Sequence, residues 1–112
     1  MGDCVFCKIA EGQIPAEFVH KDDTIFVIRD LNPQAPTHLL IVPVQHIESA
    51  VEVSDPEIWS SIMGRAMEVV RRLGFDKEGF RMVINTGAQG GQTVPHIHLH
   101  LMSGRSFGWP PG

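Results

Sequence analysis

Only two cysteines occur in the 112 residues. That is too few for a disulfide framework, so a reduced, cytoplasmic setting is the expectation. Basic residues are not in excess: nine Lys+Arg against 13 Asp+Glu leave a formal net charge of −4. A mildly acidic chain lacks the positive footprint of nucleic-acid binding, which disfavours polynucleotide partners. No long apolar run is present either. The longest, Leu39 to Val44 counting Pro43, is far short of the ~20 residues of a membrane span. The opening residues, Met1 to Phe6, have neither the basic stretch nor the apolar core of a signal peptide. Phe6 stands where a myristoylation signal requires Ser or Thr. Internal repeats and low-complexity tracts are also lacking. What is left is an ordinary globular composition, 43% hydrophobic and 20% charged, of a size for one compact domain over residues 1–112.

The apolar stretch from Cys4 to Ala10, closed by Gly12 and Pro15, reads as a short helix or turn. Glu17–Lys21 and Thr24–Asp30 are rich in Val, Ile and Phe and flank Asp22-Asp23, a hairpin signal. Pro33 and Pro36 make a loop of Leu31–Thr37, and His38–Pro43 reads as a strand buried on both faces. Ser54 and Glu57 have capping-box spacing around Pro56. Ile58, Ile62, Ala66, Val70 and Leu73 then recur at three and four up to Gly74, which predicts a helix over 55–73. Phe80–Asn85 and His96–Met102 complete the strands. With so few helices between strands, the expected fold is α+β with an antiparallel sheet.

Six histidines are the unusual feature, and three fall within five residues. His96-Ile97-His98-Leu99-His100-Leu101 alternates with period two, which on a strand puts the imidazoles on one face and the aliphatic residues on the other. On a regular strand His96 and His100 would have Cα atoms about 13–14 Å apart, too far to converge on one metal ion. Two adjacent members could share one. The other possibility is division of labour: one imidazole as nucleophile, one as ligand-holding donor, one with a structural partner. Upstream, Asn85 to Thr93 contains Gly87, Gly90 and Gly91, a loop whose backbone can approach a ligand closely and expose N–H groups to an anion. Thr93 adds a hydroxyl. Together the loop and the triplet suggest a phosphate held against an imidazole nucleophile.

The run His96 to Met102 resembles the signature of the histidine triad (HIT) superfamily. Asp30 to His38, Asn85, Gly90-Gly91-Gln92-Thr93 and Trp109-Pro110-Pro111-Gly112 are similar to its histidine triad nucleotide-binding, phosphoramidase branch. The resemblance implies a HIT-like antiparallel sheet of about five strands with one long and one short helix, continued across a two-fold homodimer. It also implies hydrolysis of the P–N bond of purine nucleoside phosphoramidates. By position His98 would be the nucleophile, forming a nucleotidyl-histidine. His100 and Asn85 would hold phosphate oxygens with the backbone of Gly91, Gln92, Thr93 and Val94, and Thr93 would stand near the departing amine. Asp30 would bind the ribose hydroxyls; Val5, Phe6, Ile9, Ile28 and Leu31 would wall the base. His38 would form a relay behind the triad, and Trp109 to Gly112 would cross to the partner's pocket.

Cys4-Val5-Phe6-Cys7 has the spacing of zinc ligands and lacks a second cysteine pair. Buried thiols or a redox pair are the alternatives. Resemblance to the zinc-bearing type of the superfamily implies a closed structural Zn²⁺ site on Cys4, Cys7, His46 and His96. Two departures from the family pattern, Pro95 before the triad and Thr93 in place of serine, bear on leaving-group choice. Besides the enzyme, the sequence admits a nucleotide-binding regulatory module with little turnover, or a metal-dependent enzyme built on the His-x-His pair.

Overall fold

A computed structural model describes residues 3–112. Helix α1 (Val5–Ala10) is followed by strands β1 (Phe18–Lys21), β2 (Ile25–Arg29) and β3 (Thr37–Pro43). A 3-10 turn (Ala50–Glu52), α2 (Pro56–Leu73), α3 (Phe75–Glu78), β4 (Arg81–Val83) and β5 (Leu99–Ser103) complete the order. The strands form one antiparallel sheet in the order β1-β2-β3-β5-β4. The α+β class holds. The helix set is richer than expected, with α3 and the 3-10 turn added to the long and the short helix.

The central position of β3 explains its continuous apolar run: His38 to Pro43 are all buried, between β2 and β5. Period two sorts the neighbouring side chains between two layers. Ile25, Val27, Leu39, Ile41, Leu99 and Leu101 pack with Ile58, Ile62, Ala66, Val69 and Val70 of α2. On the opposite face Phe26, Ile28, Leu40 and Val42 pack with Phe6, Cys7 and Ile9 of α1. The β1–β2 turn is tied by Asp22, whose Oδ1 accepts from the Thr24 and Ile25 N–H groups.

Three local expectations need correction. Asp55, not Ser54, caps α2: its Oδ1 accepts from the Glu57 N–H at 2.9 Å, with Pro56 opening the helix. Leu73 is exposed, and Val69 takes the place on the buried stripe expected of it. The last two strands are shorter than expected, because the chain before β5 uses its donors elsewhere. Pro95 has no N–H, His96 N–H donates to Val94 C=O at 2.8 Å, and Ile97 N–H donates to Ile47 C=O at 2.7 Å. Pairing with β3 therefore begins at Leu99, opposite Ile41. No helix among the described residues is long and apolar enough to cross a membrane.

Candidate active site and metal cluster

The three histidines of the triplet share a face of the sheet but not a destination. His96 turns into a buried cluster with Cys4, Cys7 and His46, whose ligand atoms all lie within 4.8 Å of one another. Its Nδ1 is 3.2 Å from Cys4 Sγ and 3.7 Å from Cys7 Sγ, and His46 Nδ1 is 3.3 Å from Cys7 Sγ. The other ring nitrogen of His96, Nε2, donates to Pro43 C=O at 2.8 Å. That bond leaves Nδ1 unprotonated and aimed at the sulfurs, the arrangement a metal-ligating imidazole requires. Two sulfurs and two nitrogens at these spacings match a tetrahedral ion of Zn²⁺ size, whose ligands sit about 3.5–4 Å apart. Without a cation the cluster disfavours thiolate: burial, then the Cys4 thiol, push the Cys7 thiol up to about 11. A dication reverses that preference, so the donor set fits zinc. All four positions are protein side chains, as in closed structural sites.

His100 and His38 form a second arrangement. Gln34 N–H donates to His38 Nδ1 at 3.0 Å, so the neutral His38 ring carries its proton on Nε2 and donates it to His100 Nδ1 at 2.9 Å. His100 is left with its proton on Nε2. The Asp30 carboxylate lies 3.4 Å from His38 Nε2. Burial, then His98 and His38, hold His100 down to about 4, and burial also lowers His38, with Asp30 opposing in both cases. Both rings are neutral at pH 7. His98 joins neither cluster. Its Nδ1–H donates to His96 C=O at 2.8 Å, which leaves Nε2 with the free lone pair. The His-x-His pair thus does not converge on one ion.

His98 and His100, with ring centroids 5.0 Å apart, line a cavity of about 270 Å³. Asp30, Thr93 and Val94 share its wall with them, and Val5, Phe6, Ile9, Ile28 and Leu31 supply the apolar side. Asp30 also holds its own turn, Oδ1 accepting from the Asn32 N–H. His38 lies behind His100 rather than in the cavity. Asn85, Gly91 and Gln92 are not among the lining residues. The Gln92 amide is committed to the loop, accepting from Gly87 N–H and donating to Glu48 and Val94 carbonyls. Sequence reasoning missed Ile14, Pro15, Ala16, Glu17, Arg29 and Leu40. Of these, Leu40 had a signal: it is two residues from His38 on β3, and it pairs with Ile28 on one side and His100 on the other. The C-terminal segment is fastened by arginines. Arg81 and Arg105 stack on Phe107, and Arg81 donates to Gly108 C=O at 2.7 Å, after which Trp109 projects 85% exposed.

An antiparallel α+β sheet that sets two imidazoles of the triplet, an aspartate and an apolar wall around one cavity is the framework of a nucleotide-binding hydrolase class of fold. The HIT domain family model matches residues 11–107, and the chain belongs to that family. Its cluster of Cys4, Cys7, His46 and His96 fits the zinc-bearing type. A 14 kDa zinc-binding protein of Brassica juncea is 42% identical, over 98% of this chain and 100% of that protein. The crystal structure of a HIT family hydrolase from Legionella pneumophila superposes with a TM-score of 0.95 at 48% identity, covering 98% of this chain and 100% of the other. A zinc-bound histidine triad family protein from Mycobacterium smegmatis is 29% identical, with a TM-score of 0.84 and coverage of 93% and 76%.

Proposed function

We propose that the chain is a hydrolase of purine nucleoside phosphoramidates working through a nucleotidyl-histidine intermediate. One observation carries this reading: the cavity wall presents an imidazole, His98, whose Nδ1–H is tied to a backbone carbonyl and whose Nε2 is turned away from that bond. Such a nitrogen attacks without a separate activating base. Its lone pair forms a bond to the α-phosphorus while the P–N bond breaks, and the amine leaves after taking up a proton. Thr93, a residue of the cavity wall, is the hydroxyl-bearing group on hand for that departure. Water then attacks the phosphorus, the N–P bond to His98 breaks, and the nucleotide is released.

His100 Nε2–H donates to a phosphate oxygen, and because His38 fixes its tautomer the donor is in place before charge develops. The backbone of Thr93 and Val94, both on the cavity wall, holds the remaining oxygens from the loop side. Asp30 accepts from the ribose hydroxyls, and Phe6, Ile28 and Leu31 wall the base. Cys4, Cys7, His46 and His96 would hold zinc, which would supply a structural cross-link between α1 and the approach to β5. The short edge strand β4 joins its counterpart in a second copy, and Trp109 to Gly112 cross to that copy's pocket.

Rapid quench with radiolabelled adenosine phosphoramidate tests the mechanism. A covalent nucleotidyl adduct is expected on the peptide containing His98 and is lost in His98→Ala. Unimpaired turnover by His98→Ala would overturn the reading.

A further inference from the structure

We propose that the Cys/His cluster governs the nucleotide site through two positioning residues, His96 and Phe6, so that metal occupancy sets both the tautomer of His98 and the seating of the base wall. This rests on the nucleotide reading for its probe but not for its structural readout.

His96 belongs to both places at once. Its ring faces the two sulfurs and is braced from behind by Pro43, while its backbone carbonyl is the acceptor that fixes the proton of His98 on Nδ1. A shift of His96 moves that acceptor. A neutral imidazole without such a partner distributes its proton between the two nitrogens. The fraction with a free lone pair at Nε2 then falls. Phe6 makes the second link. It lies between Cys4 and Cys7 on α1, walls the cavity, and packs its ring edgewise on His98 and His96 at centroid distances of 5.0 and 5.6 Å.

Helix α1 has six residues, and its N-terminal cap is the Cys4 sulfur accepting from the Cys7 N–H at 3.4 Å. A helix this short has little stability of its own, so its place depends on what fastens it. A metal bridging Cys4 and Cys7 to His46 and His96 fixes the helix, and with it Phe6, against the nucleophile. Neither cysteine lines the nucleotide cavity, so removing the metal touches no substrate contact directly.

The full chain is compared zinc-loaded and after chelation, with circular dichroism confirming that the fold persists. AMP is the ligand, and ¹⁵N NMR of the His98 ring reports its tautomer. The stripped chain is expected to bind AMP about tenfold more weakly, the scale of a lost orienting contact, and to show a mixture of His98 tautomers. Added Zn²⁺ restores both, and Cys7→Ser reproduces the stripped state. A stripped, folded chain with unchanged AMP affinity and an unchanged His98 signal overturns the proposal.

Should chelation unfold the chain, a loaded form gives the answer. With Co²⁺ in the cluster, saturating AMP is expected to shift the ligand-field bands, since coupling between sites is reciprocal. The shift is lost in Phe6→Leu. Bands indifferent to bound AMP in the native sequence overturn the proposal. If the native zinc-loaded chain fails to bind AMP, the nucleotide reading falls instead, and the His98 signal with and without metal still decides the coupling.

Discussion

Neutral imidazoles in a partly buried row leave a mark on acid stability. His100 is held down to about 4 by burial and by its histidine neighbours, whereas an imidazole of the unfolded chain titrates near 6.5. Between those values the unfolded chain binds a proton that the folded chain refuses. The stabilising contribution is therefore complete above pH ~6.5 and lost as the pH falls through ~4. Allowing for the partial exposure of the ring, about 2 kcal/mol is expected to disappear. Denaturant titrations on either side of that window measure the loss, and it should shrink in His100→Phe. Asp30→Asn removes a carboxyl group from the cavity wall where the proposed function seats the ribose. AMP affinity is expected to fall about tenfold, and the same change should cost a 2′,3′-dideoxy analogue much less; calorimetric titration of both ligands checks it. At this scale strict alternation made His96, His98 and His100 legible as a set, and the pair spacing did the same for Cys4 and Cys7. The commitment of Gln92 was hidden, because one of its partners, the Glu48 carbonyl, is 44 positions away and nothing local announces it.

Among the elements, α2 is the test of how finely a boundary can be read. Ser54 and Asp55 are both good capping residues, and only the bond from Glu57 N–H to Asp55 Oδ1 shows which one serves. Asp55→Ala is expected to cost about 1 kcal/mol and Ser54→Ala no more than roughly 0.5 kcal/mol, measured as changes in the urea midpoint. Ile62, fully buried beneath the sheet, should cost about 2–5 kcal/mol on truncation to alanine. Periodicity found the helix but not the end of its apolar stripe. Leu73 still falls on the arc that Ile58, Ile62, Ala66 and Val70 define, but as the last residue of α2 it is exposed, while Val69 lies on the same arc and is buried. The late start of β5 was illegible for a related reason. Hydrophobic alternation reports which way side chains point, and it continues through His96 and Ile97 even though their N–H groups bond to Val94 and Ile47 rather than to β3.

For the whole molecule the metal cluster matters most, because it joins the N-terminal helix to the sheet. A metal present a thousandfold above its dissociation constant contributes roughly 4 kcal/mol. Chelation is therefore expected to lower the melting temperature by on the order of 15 °C, reversed by added Zn²⁺. Sedimentation is expected to give twice the 12.4 kDa of the chain, as the proposed β4 pairing requires.

Strand β5 has a further consequence. Its leucines face α2 and its histidine faces the cavity, so a single strand serves two neighbourhoods that exchange no side chains. Robustness and reactivity can thus be tuned separately. Substitutions confined to the α2 side could raise heat tolerance with turnover left alone, and those lining the recess could redirect substrate choice over an undisturbed foundation.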